Sequence, residues 1–209
     1  MLEAVIGVCR EVSELSKICL ALPQDSKHFA LGQWASELWP DIKVSYGDAD
    51  DVFSRMSKAY AYMLGNDDPD LREPVLRVCA DRPIMEYRFL SWITKNVSPM
   101  ELCFNHDPGS LSGPTGLGAE ALGPVLANRF FLGDLQHLGH KEHVTLNLYR
   151  SRLIDKTYGL PEDTPTWIQN DTSTYHIDTW SDYWKIREIV DSLGSVPNLF
   201  SYSSAPWST

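Results

Sequence analysis

Apolar residues recur at steps of three and four through Val5, Val8 or Cys9, Val12, Leu15, Ile18 or Cys19 and Leu22, which predicts an amphipathic helix over residues 3–22 that Pro23 stops. A second helix is expected from Ser26 to Trp39, capped by Asp25 or Ser26 and ended at Pro40, with Phe29, Trp34, Leu38 and Trp39 as core candidates. Residues 42–46 alternate and suit a short strand ending at Gly47. Asp48 then caps a helix over 49–64, with Asp50 and Asp51 at its positive end and Gly65 as its stop. The pair Asp68-Pro69 predicts another start, with a helix running to Ala80 and bent near Pro74.

After Pro83 a helical face runs over 84–96, and Ser98-Pro99-Met100-Glu101 reads as a capping box opening a short turn. Helical stretches are expected over 119–138, interrupted at Gly123-Pro124, and over 140–158. Residues 166–175 suit a strand, with Asn170-Asp171 turning a small hairpin, and a last helix spans 181–193. The sum is a mainly α, single compact multi-helix domain with at most a short β-hairpin near the C-terminus. Four Gly, two Pro and two Ser in 105–118 predict a flexible loop dividing an N-terminal half, 1–104, from a C-terminal half, 119–209.

Composition narrows the class. An apolar fraction of 43% with seven Trp, nine Tyr and seven Phe excludes a disordered chain. With 28 acidic and 18 basic side chains the net charge is −10, which argues against nucleic acid as a partner. Met1 to Val5 lacks the basic-then-apolar pattern of a secretory signal, and no run reaches the 18 apolar residues of a membrane span. Cys9, Cys19, Cys79 and Cys103 form no Cys-x-x-Cys pair and read as reduced thiols, so an intracellular, cytoplasmic setting is expected.

Four groups could carry chemistry. His137, His140 and His143 stand at steps of three, with Asp134 before them and Glu142 between; pairs three apart on a helix are neighbours and could chelate a divalent metal. His176 and Asp178 match two ligands of a facial iron triad, but no later histidine supplies the third. Cys103, His106 and Asp107 offer a thiol, an imidazole and a carboxylate beside the loop, and Gly109 to Gly118 could cradle an anion at a helix start, although it lacks a P-loop ending. Trp167, Tyr175, Trp180, Tyr183 and Trp184 form the densest aromatic group, either core packing or a binding surface. The aspartates at 48–51 and 67–70 miss the calcium-loop pattern and read as helix caps.

The run Leu71-Arg72-Glu73-Pro74-Val75-Leu76-Arg77-Val78, followed by Tyr87, resembles the Arg-Glu-x-x-Ile-Leu-Arg helix of carboxymuconolactone-decarboxylase-like proteins. The Cys-x-x-Cys and following His of that family are absent, so the resemblance carries over no residue and no activity. Two functional expectations follow from the residues. One is a soluble α-helical protein acting through a protein partner or self-association; the other is a small metal-assisted enzyme with its site at 134–143 and the Gly-rich loop as lid.

Overall fold

The computed structural model describes residues 1–65, 73–105, 116–170, 173, 175–193 and 198–202. Helix α1, Leu2–Arg10, leads into strand β1, Cys19–Pro23; helix α2, Ser26–Leu38, and strand β2, Lys43–Gly47, follow. Next come α3, Val52–Leu64, β3, Val75–Arg77, α4, Tyr87–Asn96, and β4, Glu101–Phe104. The chain continues through β5, Glu120–Leu122, α5, Pro124–Phe131, α6, Leu146–Arg150, and β6, Asp155–Tyr158. Helices α7, Thr166–Asn170, and α8, Trp180–Leu193, complete it.

The strands form two sheets. β1 and β2 pair in parallel, Cys19 opposite Lys43; the other sheet has the order β3-β5-β4-β6, antiparallel at β3-β5 and β5-β4 and parallel at β4-β6. Helices cover both faces. Tyr60 and Leu64 of α3 and Phe130 and Phe131 of α5 meet Leu102 and Leu122 on one face. Val5 and Val8 of α1 and Leu90 and Ile93 of α4 meet Cys103 and Ala121 on the other. A strand alternates its side chains between faces, so residues 102, 103 and 104 serve both cores in turn. The architecture is therefore α/β, not the mainly α domain expected from periodicity.

The corrections share physical causes. Ile18-Cys19-Leu20-Ala21-Leu22 is a continuous apolar run; half-buried along its length, it becomes a parallel strand, which periodicity alone cannot separate from a helix turn. Only the first half of the stripe over 3–22 stays helical, ending at Arg10. Glu120-Ala121-Leu122 favours helix locally, yet it sits between β3 and β4, where tertiary pairing overrides propensity. The helix expected to Ala80 is strand β3 over Val75–Arg77, so the decarboxylase-like resemblance does not extend to that element's structure. The helix expected over 140–158 reduces to α6 followed by β6, and the strand expected over 166–175 is α7 where it is described, opened by the Pro165 carbonyl accepting from the Ile168 and Gln169 amides.

Other expectations hold. Asp25 caps α2 through the His28 amide, residues 43–47 form a strand, Gly65 ends α3 at φ +62°, and α4 and α8 lie where the pattern puts them. The cap of α3 is Asp51, three residues beyond the expected Asp48. Phe29, Trp34 and Leu38 are exposed, and only Trp39 of that group is buried. Most of the loop at 105–118, with His106 and Asp107, and the expected caps at 67–70 lie outside the described residues.

One buried polar network ties β3, β5 and α6 together. Glu120 Oε2 accepts from Arg77 at 3.1 Å and from Thr145 at 2.8 Å, and Oε1 accepts from the Tyr149 hydroxyl at 2.9 Å. Burial lowers the Arg77 guanidinium's affinity for its proton, but the Glu120 carboxylate outweighs it and the net shift is upward. Burial, with Glu120 beside it, pushes the Tyr149 phenol well above its usual value. Removing one partner strands the others in a dry site. We predict that Glu120→Ala destabilises the fold by about 3 kcal/mol, read from urea unfolding; a loss within the ~0.5 kcal/mol of an ordinary surface change would contradict it.

Candidate functional site

The chain builds β1 and β2 on one side, then places β3 on the other. In open α/β sheets a crevice forms outside the carboxyl ends of the strands where the chain changes side, and ligands sit there. In this protein that position lies between β1 and β3, and a cavity of about 690 Å³ runs along it. Its mouth is formed by Leu22 at the end of β1, Val52 and Arg55 of α3, and Ala80 and Asp81 beyond β3.

Arg55 is positioned by the turn before its own helix. Asp48 accepts the amides of Asp50 and Asp51 at 2.8 and 2.9 Å, and Asp51 caps the helix through the Ser54 amide at 2.8 Å. The Arg55 Nη1 donates to the Asp48 and Ala49 carbonyls. Gly47 allows this packing, since a Cβ there would lie 2.9 Å from the Arg55 Cα. Arg55 Nε is buried with no hydrogen-bond partner, and burial lowers the guanidinium's affinity for its proton below the ordinary arginine value, despite Asp48 and Asp51. A half-buried guanidinium with an unpaired Nε can receive an anion.

Asp81 stands on the opposite lip. Its carbonyl accepts from the Ile177 amide at 3.0 Å, while its side chain is exposed. The following segment is pinned by Arg82 Nη1 donating to the Gly118 carbonyl at 3.2 Å and by the Glu86 amide donating to Leu117 at 3.2 Å. Gly116 holds φ +93° directly beneath Tyr175, where a Cβ would come within 2.6 Å of the Tyr175 carbonyl carbon. The Glu86 carboxylate is fully buried; it accepts from the Arg88 amide at α4 and from the Leu199 amide at 2.7 Å.

The residues singled out from sequence lie elsewhere. Asp134 is exposed and engaged by Arg129 at 2.6 Å, and His137 Nδ1 lies 2.8 Å from the Asp134 carbonyl. The His140 and His143 rings stack at 5.6 Å, with His140 Nδ1 accepting the His143 amide at 3.0 Å. Among the described residues no group of three His, Cys, Asp or Glu could hold a metal ion. His176 bonds Asp178 at 2.9 Å. In the aromatic group Tyr175 is buried and Trp167 donates to the Tyr202 carbonyl, while Trp180, Tyr183 and Trp184 touch edge to face on α8, with Trp180 77% exposed. Arg55 and Asp81 were missed. Asp48 and Asp51 were legible as caps and mark the turn that holds Arg55, but Asp81 was hidden by reading β3 as a helix.

No family model and no curated protein matches the chain. Its structure is similar to that of a cytidylyltransferase from Leptospira borgpetersenii serovar Hardjo-bovis (strain JB197), with a TM-score of 0.67, 16% identity, and 91% of this chain and 77% of that chain covered. That likeness fixes the fold. It also overturns the all-α frame of the expected α-helical interaction protein, a reading that rested on abundant aromatics without a complete catalytic set. No described helix is long and apolar enough to cross a membrane.

Glu86 gives this region a pH signature. Burial raises its carboxyl above the ordinary range despite the two amides it accepts. A group whose folded pKa is raised adds stability below its unfolded pKa and loses that contribution as pH rises through the folded value. The stability of the wild type relative to Glu86→Gln is expected to fall as pH rises above the ordinary carboxylate range, measured by urea unfolding at each pH; parallel curves would refute the assignment.

Proposed function

We propose that the chain is a nucleotidyltransferase-like protein that binds a cytidine nucleotide, with the phosphates at the crevice mouth between Arg55 and Asp81. The likeness of fold to a cytidylyltransferase over nine-tenths of the chain carries the reading. The position of the crevice at the change of side and the unpaired Nε of Arg55 support it. Cytidylyl transfer passes a nucleotide phosphorus to an acceptor oxygen while the rest of the phosphate chain departs, so its needs are positioning and charge neutralisation. Arg55 supplies a fixed donor for a phosphate oxygen. Asp81, exposed on the opposite lip, would be the residue to hold a magnesium ion, which would supply positive charge toward the phosphates.

Calorimetric titration with CTP in magnesium buffer tests the proposal. Binding is expected, at least tenfold weaker in Arg55→Ala, equivalent to about 1.4 kcal/mol, and partly retained in Arg55→Lys. Asp81→Asn should reduce the difference between magnesium and EDTA. Absence of CTP binding at millimolar concentration, or unchanged affinity in folded Arg55→Ala, would overturn it.

A further inference from the structure

Residues 198–202 form a short strap across the start of α4 and beside α7. The Leu199 amide donates to the Glu86 carboxylate at 2.7 Å, and the Tyr202 carbonyl accepts from the Trp167 indole at 2.8 Å. Between them the Phe200 ring meets Phe89 edge to face at 5.8 Å and lies 4.5 Å from the Arg88 guanidinium. Leu199 is fully buried, in one apolar cluster with Ile84, Leu117 and Tyr175.

Glu86 joins this strap to the lip of the crevice. Its backbone amide donates to the Leu117 carbonyl at 3.2 Å, next to Gly116, whose lack of a side chain lets Tyr175 sit directly against it. Two residues on, the Ile177 amide donates to the Asp81 carbonyl at 3.0 Å. The strap, residues 116–118, residues 175–177 and the lip therefore form one connected set of contacts.

The Glu86 carboxyl is fully buried, and the hydrogen-bond donors it meets among the described residues are two neutral amides, those of Arg88 and Leu199. A carboxylate there is charged in a dry site with no cation bonded to it, and opening the strap lets water reach it. A protonated carboxyl keeps an oxygen for the Leu199 amide and brings no charge into the site. The charged groups facing it among the described residues are Arg88 of α4, which favours the ionised form, and Asp163 before α7, which opposes it; the two meet each other at 3.5 Å.

We propose that the strap is a pH-sensitive clasp: protonated Glu86 keeps it docked and the Asp81 lip fixed, and ionisation of Glu86 shifts it toward release and loosens that lip. Burial raises the Glu86 carboxyl above the ordinary range, so docking is strongest at acid pH and weakens as pH rises through the raised value. Release is local, since the clusters that cover the four-stranded sheet contain no strap residue. The clasp does not depend on nucleotide binding.

Hydrogen exchange of the full chain tests the clasp, read by fragmentation mass spectrometry with each rate corrected for the intrinsic pH dependence of exchange. From the ordinary carboxylate range upward, protection at Leu199 and at Ile177 is expected to fall together by about threefold or more, while β4 stays better protected than either. In Glu86→Gln both should hold level across the same range. Phe200→Ala should lower protection of the strap at every pH and keep the slope, which reads the clasp even if Glu86→Gln does not fold. The proposal is overturned by a level wild type, by a slope retained in Glu86→Gln or lost in folded Phe200→Ala, by strap and β4 protected alike, or by a fall at Leu199 without one at Ile177.

Discussion

The division of the sheet layer between β1 and β3, which share no ladder among the described residues, governs how the rest of the molecule is arranged. Backbone amides and carbonyls must find partners wherever water is excluded, and a sheet covered by helices on both faces excludes it everywhere except at its edges. Here the helix layers are continuous in composition: α1 and α4 cover one face and α3 and α5 the other. The sheet layer between them is divided. A cavity of about 690 Å³ runs along that division, with Arg55 and Asp81 among the residues that line it.

The four-stranded sheet holds together without that missing partner because its inner strands are doubly satisfied. β5 pairs on both sides, β4 is buried along its whole length, and the Glu120 network fastens β3 and β5 to α6 from within. The smaller sheet relies on α2 and α3. Tyr46 packs on Phe29 at 4.7 Å, and α3 lies against both β1 and β2. Each sheet thus has its own means of support.

How much of this was legible depended on whether local and global preferences agreed. Where a cap and an apolar face coincided, as at Asp25 for α2 or over Tyr87–Asn96, the helix was readable. Where a short apolar run carries no period, strand and helix look alike, and residues 18–22 extended a helical stripe that physically stops at Arg10. Glu120-Ala121-Leu122 and Val75-Leu76-Arg77 are three-residue strands, too short for alternation to register, and they exist only because their neighbours pair with them. Missing β3 meant missing the side change of the chain, and with it the crevice. The spacing of His137, His140 and His143 looked chemical only on the assumption of one helix; the chain instead makes a short 3-10 turn over Gln136–Leu138 and leaves helix before His140.

The acidity of the chain takes on a different meaning in this frame. Asp25, Asp48 and Asp182 are spent on helix caps and turns, where backbone amides, and for Asp182 first the Thr179 hydroxyl, hold their carboxyls below the ordinary range. Such groups set where helices begin; they repel anions only weakly because their charge is already met by amide dipoles and solvent. Arg55 is the counter-case. Its charge is half-buried against two backbone carbonyls, which cannot neutralise a cation as a carboxylate would, and its Nε faces no acceptor. The anion proposed at this position therefore depends on attraction over a few ångströms in a partly dry crevice, set against the Asp48 and Asp51 carboxylates beside Arg55 as well as the net charge of −10.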